Sequence, residues 1–408
     1  MRWPVYALLV LAITFLHTGP ALGQGASNPG PGLRENLSRT LNDITPEDKQ
    51  TISNALSQQV EILSKDAQAA RRSKGNSADV RAKVQGILDA KQAVTETSAV
   101  LQGTAPLPPP SAPEKLQQVD EVIRYITRPI WVVCGGEPWY VTTQVAACMD
   151  PGPSVAFAAV VQPKISLVRA AAQATGLMTA YDDDGASLKT RGQLGTAVVV
   201  GEKYVVTNRH VIEEGRVGFQ TEATGKWSLY PGIAVKIEFP YEYNKCSLPT
   251  PTKEVRVRGI SYVDPKLDFA ILETEPGLPS KVTFGSSDDV DPGDRVVVLG
   301  YPTRPPDNAV KTPELIDKAF CAPNGRTPFP AERMAAGQVF REESAPDGYF
   351  AHDASTWGGN SGSLVIDLAT GTVAGLHSHG MFAPTEGVGY NEAVLGSRIS
   401  AVIASMSP

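Results

Sequence analysis

Apolar positions fall into three textures along the chain. From Thr45 to Gln102 they recur at helical spacing: Ile52, Leu56, Val60, Leu63 and Ala67 form one stripe, and Val80, Val84, Ile87, Leu88, Val94 and Leu101 a second. The breaker Ser73-Lys74-Gly75-Asn76-Ser77 separates them. Thr45-Pro46-Glu47-Asp48 places a hydroxyl, a proline and two acids where the open amides of a helix start need them. The pattern predicts an amphipathic helical hairpin. It contains no His, Cys or aromatic residue, so it reads as a packing or partner-binding arm rather than a chemical site. Ala105 to Pro113 is proline-rich, a stiff extended spacer and the clearest boundary in the chain. Beyond it, Glu114 to Tyr125 reads as helix, and Ile130 to Cys148 as strands around a turn at Gly135-Gly136-Glu137-Pro138.

From roughly Val160 the pattern changes to short β-branched runs punctuated by Gly, Pro, Asp and Asn. Gly195 to Thr207 reads as two strands joined at Gly201-Glu202-Lys203, with the second continuing to Val211. Val255–Val263, Phe269–Glu273, Arg295–Leu299, Ser363–Ile366 and Val373–Leu376 read as further strands, and Ser397–Met406 as a closing helix. Many short strands at such spacing predict a mainly β, antiparallel sandwich or barrel.

Composition and charge then limit the function. A chain of 408 residues with 42% hydrophobic content is long enough for two or three units and a full enzyme core. Its net charge of −6 offers no basic field, which argues against nucleic acid as a partner. Arg2 followed by the apolar run Trp3 to Leu16 and the small residues near Gly23 reads as a signal peptide over residues 1–23, placing the mature protein in a secreted or periplasmic setting without stable membrane insertion. In that setting the four cysteines, Cys134, Cys148, Cys246 and Cys321, are disulfide candidates; three connectivities exist, of which 134–148 with 246–321 closes local loops.

Three polar residues of the β zone stand at special places. His210 ends a strand, Asp268 directly precedes one, and Ser361 sits in Gly358-Gly359-Asn360-Ser361-Gly362-Ser363, where flanking glycines allow a tight turn and a close backbone approach. Acyl transfer from an amide needs a nucleophilic hydroxyl, a base, a carboxylate that orients the base, and donors for the oxyanion. All four kinds are present. No metal-ligand spacing or cofactor motif stands out: Asp182-Asp183-Asp184 reads as a hairpin turn, and His352 and His379 have no assigned role.

Thr207-Asn208-Arg209-His210-Val211, Leu267-Asp268-Phe269-Ala270-Ile271-Leu272 and Gly359-Asn360-Ser361-Gly362-Ser363, in that order, resemble the signature blocks of chymotrypsin-like serine proteases. The resemblance covers about residues 160–408. It implies two six-stranded antiparallel β-barrels meeting at a cleft, Ser361 as nucleophile, His210 as base and Asp268 as orienting carboxylate, with Asp264 the weaker candidate for that third role. It further implies an oxyanion hole from the amides of Gly359 and Ser361, and a Ser378 hydroxyl on the triad Asp. Asn360 replaces the Asp that animal digestive enzymes pair with a new N-terminus, so that activation is absent. Thr356 and His377, at the walls of the primary pocket, resemble the bacterial glutamyl endopeptidases and imply cleavage after Glu or Asp; Trp357 is bulkier than that pattern expects. The expected layout is a signal (1–23), a helical arm (24–104) acting as propeptide or partner-binding region, a linker (105–113), a Cys-bearing connector (114–159) and a protease domain (160–408). The enzyme would take protein or peptide substrates and no cofactor. The competing reading is a catalytically silent scaffold whose arm mediates adhesion or assembly. A stress-type peptidase would carry a further peptide-binding domain, for which too few residues follow Ser361.

Overall fold

The computed structural model describes residues 46–72, 78–134, 159–183, 188–214, 227–239, 253–279, 290–304, 329–340, 345–380 and 390–406, with a few short pieces between them. Residues 1–23 and Cys148, Cys246 and Cys321 lie outside this set. No described helix is long and apolar enough to cross a membrane.

The first long helices described are α1 (Pro46–Arg72) and α2 (Ala78–Leu101), and most of their predicted stripes are buried, Ile52, Leu56, Leu63 and Ala67 on the first and Ile87, Val94 and Leu101 on the second, with Val60, Val80, Val84 and Leu88 half-buried. Helix α3 (Pro113–Thr127) follows the linker, and then strands β1 (Ile130–Cys134) and β2 (Glu137–Pro138). Helix α4 (Ile165–Ala174) corrects the expectation that the β region begins near Val160. Ala170, Ala171, Ala172 and Ala174 favour helix, and Val168, Ala171, Ala172 and Ala174 form its buried face.

Two six-stranded antiparallel barrels make up the rest, the chymotrypsin-like fold. The first closes in the order β10-β5-β4-β3-β8-β9, from β3 (Thr175–Asp183), β4 (Leu188–Val199), β5 (Tyr204–Thr207), β8 (Ile233–Phe239), β9 (Lys253–Val263) and β10 (Ala270–Thr274). The small pair β6 (Phe219–Thr221) and β7 (Trp227–Leu229) lies beside it. The second runs β11-β14-β15-β16-β13-β12 and closes through β11 with β12. Its strands are β11 (Arg295–Gly300), β12 (Arg333–Phe340), β13 (Tyr349–His352), β14 (Leu364–Asp367), β15 (Thr372–Gly380) and β16 (Asn391–Leu395). Helix α5 (Arg209–Glu214) interrupts the first barrel, and α6 (Gly396–Met406) closes the described chain.

Strand β11 shows how the cores divide. Its residues alternate between faces, so Val297 and Leu299 join the core shared with the first barrel while Val296 and Val298 join the interior of the second. At roughly 1.5–3 kcal/mol per fully buried aliphatic side chain, such a run holds both cores in register. The second core also contains Val122, Ile130 and the buried residues of the helical hairpin. Strand β1 pairs with β12 through Ile130↔Ala335, Trp131↔Met334 and Val132↔Arg333, on the β12 edge that further along carries β13. The segment ahead of residue 160 thus extends the second barrel.

Candidate active site

The strand expected to run to Val211 stops at Thr207, and His210 stands in the first turn of α5. The side chain of Asn208 makes the bend: its amide donates to the Asp268 carbonyl (2.8 Å) while Thr207 Oγ1 donates to the Thr196 carbonyl (2.7 Å). Asp268 comes from the loop into β10, whose turn Asp264 holds by accepting from the amides of Lys266 (2.9 Å) and Leu267 (2.7 Å). Asp264 is therefore a turn residue. Ser361 comes from the loop between β13 and β14 in the other barrel.

These three elements converge. The His210 amide donates to Asp268 Oδ1 (2.8 Å), His210 Nδ1 lies 2.7 Å from Asp268 Oδ2, and His210 Nε2 lies 2.8 Å from Ser361 Oγ. Ser378 Oγ donates to the same Asp268 Oδ2 (2.5 Å). Burial alone would push the Asp268 carboxyl up, but the hydrogen bonds and charge of His210, together with the Ser378 hydroxyl, hold it well below the usual carboxylate range. Asp268 is therefore an anion at neutral pH, and its contact with Nδ1 turns His210 Nε2 toward the serine hydroxyl.

The serine turn depends on two glycines. Gly359 and Gly362 have φ of 89° and 88°, in the left-handed region. A β-carbon at Gly362 would collide with the Thr196 carbonyl, and one at Gly359 with that of Tyr301. Thr196 of the first barrel pins this turn of the second: its amide donates to the Ser361 carbonyl and its hydroxyl to the Gly359 carbonyl (both 2.8 Å). Among the described residues, no acceptor meets the amides of Gly359 or Ser361.

Beside the serine, Thr356 and His377 are both buried, at 1% and 2% exposure. Thr356 Oγ1 donates to Asn391 Oδ1 (3.0 Å), and a β-carbon on Gly380 would meet both groups, so Gly380, Thr356 and Asn391 share one spot. His377 Nδ1 lies 3.2 Å from Nε2 of the fully buried His352. The Ala354 amide donates to His352 Nδ1 (3.3 Å), which leaves the proton of a neutral His352 on Nε2, to be donated to His377 Nδ1. A neutral His377 then carries its own proton on Nε2. Burial holds both rings neutral: it pushes His352 down to about 4, and with the neighbouring His352 it holds His377 well below the ordinary imidazole range.

The sequence reading missed several residues here. His379, 51% exposed at its side chain, lies with Nδ1 2.6 Å from Ser378 Oγ and 3.8 Å from Asp268 Oδ2, its ring centre 4.8 Å from that of His210. Nitrogen and carboxylate atoms of His210, Asp268 and His379 thus come within 4.8 Å of one another, His210 bonded directly to Asp268 and His379 linked to it through the Ser378 hydroxyl. The Asp268 amide donates to Tyr349 Oη (2.8 Å). Position next to Ser378 was the only signal for His379; Tyr349 and Asn391 carried none. Asp182 and Asp183 lie at the end of β3 and pair with Arg191 and Arg256.

The geometry is that of a charge-oriented histidine poised on a serine hydroxyl. Residues 195–376 match the trypsin-like peptidase domain family. The trypsin-like region begins at the β4 glycine next to Thr196 and ends in β15, one residue before His377. Among solved structures, the serine endoprotease from Yersinia pestis is similar at 16% identity and a TM-score of 0.38, covering 59% of this chain and 65% of that one. The HtrA-type protease AlgW with decapeptide is similar at 18% identity and a TM-score of 0.39, covering 60% and 68%. The chain thus spans just under two thirds of the first of these. No curated protein matches it in sequence.

Proposed function

We propose that the protein is a serine endopeptidase that hydrolyses peptide bonds through an acyl-enzyme on Ser361. The observation that carries the reading is the pair of contacts made by His210, 2.8 Å to Ser361 Oγ and 2.7 Å to Asp268 Oδ2. His210 takes the serine proton as Oγ attacks the carbonyl, and Asp268 stabilises the imidazolium that forms. The amides of Gly359 and Ser361 receive the oxyanion. His210 then returns the proton to the leaving amine, and water repeats the sequence on the acyl group.

The primary pocket takes the carboxylate of a substrate Glu or Asp. Its donors are the His377 Nε2–H, offered by a neutral ring, and the Thr356 hydroxyl, whose single proton turns from Asn391 Oδ1 to the incoming carboxylate. The apolar stretch and small residues of 1–23 support export, so the substrates are extracellular or periplasmic proteins. Residues 24–104 form an arm joined by the 105–113 linker to the connector and protease region.

A peptide library presented to the mature protein tests this. Cleavage on the C-terminal side of Glu or Asp, lost in Ser361→Ala, is expected. Cleavage without acidic preference contradicts the pocket assignment, and absence of hydrolysis contradicts the endopeptidase.

A further inference from the structure

The pocket wall from His352 to Thr356 is tied on two sides. On the pocket side, the His352 ring meets His377 (3.2 Å) and the Thr356 hydroxyl meets Asn391 (3.0 Å), while the Asn391 amide donates to the Ala354 carbonyl (2.6 Å). The intervening residues turn the other way, as in extended chain. Asp353 accepts from Arg128 through both oxygens, Nε to Oδ1 (2.7 Å) and Nη2 to Oδ2 (2.6 Å). Its Oδ1 also accepts from the Gln338 amide (2.7 Å), and its carbonyl from Arg124 Nη1 (3.1 Å). Ser355 Oγ donates to the Arg128 carbonyl (3.1 Å). Arg124 is in turn held by Asp120 one turn earlier on α3 (2.9 Å).

We propose that Arg128 and Arg124, at the end of α3 and just past it, are positioning residues for the primary specificity pocket. By clamping Asp353 they fix the strand that presents His352 to His377 and Thr356 to the substrate side chain. This inference rests on the serine endopeptidase reading and names residues outside the trypsin-like region that shape its specificity. The clamp suits the task. A bidentate guanidinium–carboxylate pair fixes direction as well as distance, and a buried pair tolerates little displacement because an unpartnered charge there is costly. It also holds the Asp353 carboxylate on a guanidinium, while burial keeps His352 and His377 neutral donors against the pull of that nearby charge on His352. Processing compatible with this pocket removes nothing beyond the start of α3.

Arg128→Lys and Asp353→Asn test the proposal, with Lys115→Gln, on the exposed side of the same helix, as control. Four quantities are measured on the full mature chain: KM and kcat for the best library peptide, the rate at which a fluorophosphonate probe labels Ser361, and the thermal midpoint. The expected result is a KM raised about five- to tenfold in both variants, equivalent to losing one ordinary hydrogen bond. The labelling rate, which needs no pocket, stays within about twofold of wild type, and Lys115→Gln matches wild type. An unchanged KM in folded variants overturns the proposal. So does an equal fall in peptide turnover and labelling, or unfolding of both variants, since each assigns the clamp a purely structural part. Absence of labelling in the wild type instead refutes the underlying serine hydrolase reading.

Discussion

Two clusters in this molecule are built from histidine and aspartate, and they do opposite things with the proton. At the interface of the barrels, Asp268 gives its carboxylate directly to His210 (2.7 Å). Inside the second barrel, Asp353 sits next to His352 in sequence, yet its carboxylate is taken by Arg128. The first arrangement sets a carboxylate against the imidazole that faces Ser361. The second makes a buried pair that is held neutral, with His352 pushed down to about 4. The choice of partner, not residue type, separates a proton-transfer site from a hydrogen-bonding wall.

The strongest way to break this contrast is to neutralise each aspartate in turn. Asp268→Asn is expected to lower kcat/KM by about four orders of magnitude, because the amide favours the wrong imidazole tautomer and cannot stabilise the imidazolium. Asp353→Asn is expected to leave kcat within about threefold. Steady-state kinetics on the two variants checks this. Comparable losses would erase the distinction.

A second, smaller effect concerns stability against pH. The folded-state pKa of His352 lies below its unfolded value, so below about pH 6.5 the unfolded chain binds the extra proton. Stability is therefore unaffected by this group above that pH, falls as the pH drops, and loses on the order of 3 kcal/mol by about pH 4. Asp268 and Asp353 are held low by His210 and Arg128 respectively, against the upward push of burial, so their stabilisation is lost only at more acidic pH. Thermal midpoints of wild type and His352→Gln, followed from pH 7 to pH 4, isolate the histidine contribution: the wild-type curve should fall more steeply. Parallel curves would mean that His352 does not stay neutral in the folded state.

Much of this was legible in the sequence because its causes are local. The helical stripes, the β-branched runs and the glycines around Ser361 each report a nearby backbone requirement, and the His210, Asp268 and Ser361 blocks lie at the element ends that the fold brings together. Errors came where local preferences compete, as at Ala170 to Ala174, where alanine-rich chain prefers helix, and at His210, where the Asn208 side chain turns a strand into a helix start. The Arg128–Asp353 clamp was illegible for a different reason. Its partners are 225 positions apart, and neither stands in a motif. The same holds for Thr196, which reaches across the barrels to the turn of Ser361. Its hydroxyl in a strand of small and branched residues is unremarkable until the second barrel is in place.

The central claim, that Ser361 is a nucleophile activated by His210, is tested most directly by intact-mass and peptide-mapping measurement of the mature protein after exposure to a fluorophosphonate. The account predicts one covalent adduct, on the peptide containing Ser361, formed at a rate that rises with pH and abolished in both Ser361→Ala and His210→Ala. An unmodified protein, or an adduct that persists when His210 is removed, would contradict it.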